Sequence, residues 1–405
     1  MTSRIIPIFP QQAATAMPVN PAARLKSPPP LALYIHFPWC VKKCPYCDFN
    51  SHAVRDNGIP EVAYVDALLQ DLQSVLPQVW GRRIISIFIG GGTPSLISPA
   101  QLDRLLTGVR TLLPLDPEAE ITLEANPGTV EAGRFAEFRS AGITRVSLGI
   151  QSFDDVQLKQ LGRIHDSGEA RKAIELAARN FDTWNIDLMY ALPQQTLPQA
   201  EHDLAQALAY SPPHLSCYHL TLEPNTLFHR APPSLPDEDA SADMQDMIEA
   251  RLAEAGYLHY EISAFAKPSH RCRHNLNYWS FGDYIGIGAG AHGKLTSHEG
   301  VRREMRHKHP NAYLDAAAGG SFVQDANWVA ASDLPFEFMM NALRLLDGVP
   351  RAQLELTTGL PLSSIESELG VAKSRGLLEL DATNLRPSEQ GRRFLNDLLE
   401  IFLNK

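Results

Sequence analysis

Six short apolar segments punctuate the chain: LALYIH (31–36), IISIFI (84–89), ITLE (121–124), RVSLGI (145–150), WNIDLMY (184–190) and LSCYHL (215–220). Each is rich in branched and aromatic residues and short enough to read as a buried strand. Stretches of helical period run between them. In EVAYVDALLQDLQSVL, for instance, Val62, Val65, Leu68, Leu69, Leu72, Val75 and Leu76 fall on one face. Nearly all-apolar strands alternating with amphipathic helices predict an α/β fold whose parallel sheet is covered by helices. We read it as an open, partial (β/α)6 barrel of TIM-like type. Chemistry in such folds gathers at the carboxyl ends of the strands, which sets the test for every motif below.

From about residue 325 the pattern changes to the helices PFEFMMNALRLL, VPRAQLELTTG and LSSIESELGVAKSRG, a hairpin LLELDATNLRP and a closing helix from 389. Three helices and a hairpin predict a winged-helix-like α+β module. The expected organisation is a disordered lead-in over 1–29, a core over 30–265, a connecting segment over 266–324 and the C-terminal module over 325–405.

Composition narrows the function classes. The 405 residues are 44% hydrophobic, ample for a sizeable core. A net charge of -10 argues against bulk attraction to nucleic acid, and residues 332–405 carry eleven acidic against eight basic side chains, the wrong balance for a DNA-binding winged helix. Five cysteines are too few and too unevenly placed for a disulfide framework, and no leader with a continuous apolar core is visible, so the compartment reads as a reducing cytoplasm. No run approaches the roughly 20 apolar residues of a membrane helix, which limits membrane dealings to peripheral contact.

The loop PWCVKKCPYCDFNSH follows the first predicted strand and holds Cys40, Cys44 and Cys47 in a C-x3-C-x2-C spacing. Free cysteines normally scatter, so three within eight residues point to a metal centre. Structural zinc wants four ligands, and only Asp48, His52 or a distant residue is available to complete the set. A cubane iron-sulfur cluster fits better, because three thiolates leave one iron open to a small chelating ligand. GGGTPS (90–95) ends the second strand, where glycines allow close backbone approach. Glu124, Gln151 and Asp187 fall at or near strand ends, where capping or solvated roles are the plain alternative.

The cysteine spacing resembles that of the radical S-adenosylmethionine enzymes. With GGGTPS, EANPG, GIQSF, LGRIH and IDLMYALP following in order, the chain from about residue 30 is similar to the family containing oxygen-independent coproporphyrinogen III oxidase and HemW. That resemblance implies a [4Fe-4S] cluster on Cys40, Cys44 and Cys47. It implies S-adenosylmethionine held by Gly91, Gly92, Thr93, Glu124, Gln151, Arg163 and Asp187, with Tyr34 and Tyr46 flanking the cluster. The oxidases carry a further cysteine two positions beyond the triad, where this chain has Phe49, and the CDFN form resembles HemW. The resemblance therefore implies a heme chaperone serving heme-requiring respiratory proteins, with dimerisation possible; a porphyrin-directed oxidoreductase is the alternative.

HNLNYW (274–279) matches the HNxxYW pattern that the resemblance links to heme, with His274 as the ligand; its His, Tyr and Trp read equally as packing between two domains. His292, in the glycine-rich GIGAGAHG, is a second candidate, and the basic stretch VRREMRHKH reads as a carboxylate-binding segment or a solvated loop. Cys217 and Cys272 read as packing residues.

Overall fold

The computed structural model describes residues 25–54, 58–129, 134–380 and 383–403, so most of the expected lead-in lies outside the described residues. The six apolar segments form strands β1 (Leu31–Phe37), β2 (Ile84–Gly91), β3 (Leu115–Ala125), β4 (Arg145–Gln151), β5 (Thr183–Tyr190) and β6 (His214–His219). They pair in parallel in chain order, for example Ile35 with Ile89, Ile89 with Leu123, Leu148 with Ile186 and Ile186 with Leu215. The apolar runs follow from burial on both faces: in β1 every residue except Tyr34 is buried.

The sheet extends well beyond these strands. A hairpin of β7 (Leu258–Glu261) and β8 (Ala264–Ala266) joins antiparallel to β6. On the other side β9 (Asp283–Ile287) pairs in parallel with β1, and β10 (His292–Ser297), β11 (Gly300–Arg306) and β12 (Val323–Trp328) continue as an antiparallel meander. The order is β12-β11-β10-β9-β1-β2-β3-β4-β5-β6-β8-β7, and among the described residues the two ends do not pair, so the barrel they form is open. Residues 266–324, read from sequence as a connection, thus supply β9, β10 and β11 to the main sheet.

Helices cover the strands as expected, with local signals that fix their ends. Asp166 and Glu169 form a capping box on Ser167–Asn180, and Thr196 and Gln199 form another on Leu197–Ala209; each N-cap stabilises its helix by about 1 kcal/mol. The helix Glu61–Val75 buries Tyr64, Val65, Leu68, Asp71, Leu72 and Val75, whereas Val62 lies off that face and is exposed. Asp71 accepts from Arg306 Nε at 2.9 Å and from the Tyr313 hydroxyl at 2.8 Å, pinning this helix to β11. The VRREMRHKH cations are therefore neither solvated nor awaiting a ligand throughout: Arg306 pairs with Asp71 and Glu304, and Arg303 with Glu337.

The C-terminal part has its own core, built on Phe338, Met339, Leu354, Ile365, Leu369, Leu385 and Leu398 and reaching Phe281 and Val301 of the sheet region. Helices Leu334–Ala342, Gln353–Thr358 and Glu366–Ser374 accompany a small sheet in which Asn384–Pro387 lies between Val349–Pro350 and Leu378–Leu380. This is a helix-and-wing arrangement of the expected kind. Among the described residues no helix is long and apolar enough to cross a membrane.

Candidate functional site

The cysteine loop leaves the carboxyl end of β1 and is tied off at its base. Trp39–Cys40 pairs with His52–Ala53, where the His52 N–H donates to Pro38 O at 2.7 Å and the Val54 N–H to Cys40 O at 2.8 Å. A turn from Cys47 N–H to Cys44 O, at 3.2 Å, sets the second and third cysteines near each other. Asn50 anchors the loop from outside by donating to Ala289 O and Lys308 O, both at 2.8 Å. His36 Nε2–H donates to Asn50 O at 2.9 Å, which leaves Nδ1 to accept from the Tyr34 hydroxyl at 2.9 Å. The holding is done mainly by main-chain groups and by Asn50, so the thiols are left to line a cavity.

That cavity, about 480 Å³, opens at the carboxyl ends of the parallel strands. Cys40, Cys44, Cys47, Tyr46, Gly91, Gly92, Thr93, Glu124, Gln151, Arg163 and Asp187 all line it. Tyr34, His274 and His292 do not: Tyr34 stands behind the lining, stacked on Phe88 at 6.4 Å, and the two histidines are described below.

Gly91 and Gly92 are demanded first by the chain beside them. A Cβ at Gly92 would lie 2.5 Å from Trp39 O, and one at Gly91, whose φ is +118°, would lie 2.5 Å from the His36 ring. The close approach lets the Gly92 N–H donate to Phe37 O and the Thr93 N–H to Trp39 O, each at 2.7 Å. The cysteine loop is thus laid directly against GGGTPS.

A chain of polar contacts then crosses the cavity wall. Thr93 Oγ1 accepts from Asn126 Nδ2 at 2.9 Å, and Asn126 Oδ1 accepts from Arg163 at 2.6 Å. Arg163 also donates to Gly149 O at 2.8 Å and approaches Cys44 Sγ at 3.7 Å, while its Nε is buried with no partner. Asn126 belongs to EANPG, but nothing about its own residue type marked it from sequence. Gln151 enters the left-handed region at φ +68°, a departure that costs a non-glycine residue about 1 kcal/mol and turns the chain out of β4 beside the cavity.

The carboxylates sit deeper. Burial, reinforced by Asp187, pushes the Glu124 carboxyl up to about 8, against the Gly91 N–H that it accepts at 3.1 Å. Burial also raises Asp187, opposed by the Asn185 amide at 2.7 Å and the Ser147 hydroxyl at 3.1 Å. Asn185 Oδ1 accepts from His214 Nδ1 at 2.6 Å, and His214 Nε2 accepts from the Tyr260 hydroxyl at 2.8 Å. A proton shared with Glu124 or Asp187 is the cheapest way to keep this floor neutral, and a cationic ligand would take its place.

The three thiols suit a cluster better than a lone ion. Burial raises the Cys40 and Cys47 thiols, which also repel each other as thiolates. A single zinc needs its sulfurs about 2.3 Å from one point, whereas a cubane takes each thiolate on a different iron.

The HNxxYW segment forms the helix Arg273–Trp279, and its chemistry is mostly spent on packing. His274 is 1% exposed, bonded through Nδ1 to Ser86 Oγ at 3.0 Å and stacked on Phe88 at 5.1 Å, and its Nε2 is enclosed without a partner. Burial lowers its pKa to about 3, so the ring is neutral. Asn277 donates to Asp283 O at 2.9 Å, and Trp279 lies under Arg344 at 4.9 Å beside the C-terminal core. Only Asn275 of the motif reaches the cavity. His292 is exposed at the start of β10, and the glycines of its loop serve another contact: Cβ atoms at Gly288 and Gly290 would meet His36 O at 2.4 Å and Asn50 Nδ2 at 2.3 Å. Cys217 and Cys272 are buried, and Cys272 also touches the cavity.

Known proteins share both the motifs and the whole architecture. Residues 34–207 match the Radical SAM superfamily and residues 329–394 the HemN C-terminal domain. The heme chaperone HemW of Escherichia coli (strain K12) is 50% identical over 377 residues, covering 93% of this chain and 98% of that protein. HemW of Haemophilus influenzae (strain ATCC 51907 / DSM 11121 / KW20 / Rd) is 49% identical, covering 93% and 99%, and HemW of Bacillus subtilis (strain 168) is 32% identical, covering 92% and 99%. Among solved structures, the coproporphyrinogen III oxidase HemN from Escherichia coli, a radical SAM enzyme, superposes with a TM-score of 0.79 over 94% of this chain and 92% of its own, at 22% identity, a likeness of fold. Similarity of this extent over nearly the whole chain means that it belongs to the HemW family of radical SAM proteins.

Proposed function

We propose that this protein is a heme chaperone: it carries a [4Fe-4S] cluster on Cys40, Cys44 and Cys47, binds S-adenosylmethionine beside it, and passes heme to heme-requiring respiratory proteins. The observation that carries the reading is the single cavity in which three thiols, Gly91–Thr93, Arg163 and the carboxylates of Glu124 and Asp187 face one another. The names of the relatives supply heme as cargo.

The chain's own groups have distinct tasks in this scheme. Gly91, Gly92 and Thr93 bring carbonyl and hydroxyl oxygens close to the thiol loop, where they suit an ammonium group. Arg163, held by Asn126 and Gly149 O, offers a guanidinium to a carboxylate. Glu124, Gln151 and Asp187 suit ribose hydroxyls and the amine. A cluster held by Cys40, Cys44 and Cys47 would supply one-electron chemistry beside this site. Phe49, where the oxidases place a further cysteine, has no thiol chemistry to offer, which favours carriage over turnover.

All five cysteines are unpaired, in keeping with the cytoplasm as the compartment. The test is an anaerobic preparation reconstituted with iron and sulfide. Four irons per chain, S-adenosylmethionine binding and heme binding are expected, without conversion of coproporphyrinogen. Stoichiometric zinc in a colourless protein would overturn the cluster, and coproporphyrinogen turnover would overturn the chaperone.

A further inference from the structure

Heme carriage calls for an iron ligand and an apolar resting place, and neither His274 nor His292 lines the cavity. The chain has fourteen histidines, all within the described residues. His214 and His219 are the two that line the cavity. His214 is buried with both ring nitrogens committed, to Asn185 and to Tyr260. His219 ends β6, is exposed, and makes only an edge contact with the Tyr190 ring, at 5.3 Å; among the described residues neither of its ring nitrogens has a hydrogen-bond partner.

The cavity that His219 lines also carries large apolar side chains that are open to solvent. Phe49, Val41, Ile164 and Tyr218 also line the cavity, and they are 59%, 50%, 44% and 42% exposed. Large apolar side chains left this open around one cavity mark a binding face for an apolar ligand, and aromatic rings stack well on a flat macrocycle. Lys42, which also lines the cavity, supplies a cation for one propionate, and the carboxylates of Asp48 and Glu223 in the same lining require the other to point to solvent.

We propose that heme docks over the mouth of this cavity, with His219 as the axial ligand of its iron and with Phe49, Val41, Ile164 and Tyr218 against the porphyrin. The proposal rests on the chaperone reading and adds the site to it. Imidazole is the commonest protein ligand of heme iron, and it binds through a free ring nitrogen, the condition that His219 meets and that His214 does not. Partial burial also lowers the pKa of His219, keeping the ring neutral near pH 7. Phe49 gains a positive role: the residue that removes a thiol from the oxidase pattern becomes part of the porphyrin face.

The test is a heme titration of the full-length, cluster-loaded protein, followed by the Soret band and by electron paramagnetic resonance of the ferric complex. The wild type should show an imidazole-ligated signal. His219→Ala should lose that signal and weaken heme binding by about tenfold or more, while retaining full iron and sulfide content as proof of folding. In His219→Gly, added imidazole should restore the wild-type spectrum, which a merely structural histidine would not allow. Phe49→Ala should weaken binding without changing the ligation signal. An unaltered spectrum in His219→Ala, or loss of the signal in His274→Ala or His292→Ala with His219→Ala intact, would overturn this assignment and leave the chaperone reading standing. Failure of the wild type to bind heme would overturn both.

Discussion

The loop Cys40–Ala53 and the helix Arg273–Trp279 are both short, motif-bearing segments beside one cavity, yet they spend their side chains in opposite ways. In the loop, main-chain bonds at Pro38 and Cys40 and the Asn50 amide do the holding, and the thiols face open space. In the helix the motif residues themselves do it: His274 with Ser86 and Phe88, Asn277 with Asp283 O, Trp279 against the C-terminal core. A sequence motif is a binding site only where the fold leaves its chemistry unspent, and buried polar groups are normally already satisfied.

The largest effect that could break this contrast lies in the thiols. Replacing any one of Cys40, Cys44 or Cys47 by Ala should reduce bound iron and sulfide to near background after anaerobic reconstitution, with far-UV circular dichroism unchanged. His274→Ala should keep its full complement of iron. Cluster content that survived each cysteine replacement would remove the loop's claim to be the site.

Next comes the support beneath the loop. Asp71 accepts from Arg306, from Tyr313 and from the Gly288 N–H at 3.4 Å, so it fixes the glycine-rich turn on which Asn50 rests. Asp71→Ala leaves the buried Arg306 guanidinium with Glu304 alone and takes the acceptor from the Tyr313 hydroxyl, and should lower unfolding free energy by about 3 kcal/mol. Urea titration checks the loss, and a change below about 1 kcal/mol would mean that the pair is not the brace described.

A smaller signature separates the helix. His274 is held near 3 by burial, while an unfolded histidine titrates near 6.5. Its neutral form therefore contributes fully above about pH 6.5, and stability is lost as pH falls from there toward 3. His274→Gln should flatten that part of the stability curve relative to wild type. Equal losses of unfolding free energy between pH 7 and pH 5 in wild type and His274→Gln would show that the ring is not enclosed.

The smallest effect concerns Glu124. Its carboxyl is raised to about 8, so it carries a proton below that pH, and the stability this proton confers on the apo protein declines as pH climbs from about 4.5 to 8. A cationic ligand requires the ionised form. S-adenosylmethionine affinity, measured calorimetrically, should rise between pH 6.5 and 8 by up to about tenfold per pH unit, and Glu124→Gln should abolish the trend. An affinity independent of pH in the wild type would contradict the raised carboxyl.

The legibility of the chain follows the same division. Strands β1 to β6 could be read because both faces of a central parallel strand are buried, leaving apolar runs. The segment carrying β9 to β11 could not, because charges in it are neutralised by residues far away in sequence: Arg306 by Asp71 and Arg303 by Glu337. Read locally, VRREMR resembles solvent-facing chain. The helix Glu61–Val75 shows the same effect, since its inward face includes Asp71, whose partners Arg306 and Tyr313 lie far away in sequence. At the cavity, residues borne by contiguous motifs were legible. Asn126 and His219 were not, because their roles depend on which strand end lies opposite which loop.

The central claim is that this cavity serves heme carriage and not porphyrin turnover. It is tested most directly by mixing the heme-loaded, cluster-bearing protein with the apo form of a heme-requiring respiratory protein, following the heme spectrum on each partner, and assaying coproporphyrinogen in the same preparation. The account predicts that heme leaves this protein and appears on the acceptor while coproporphyrinogen is unchanged. Heme retained by the chain, with coproporphyrinogen decarboxylated over repeated turnovers, would contradict it.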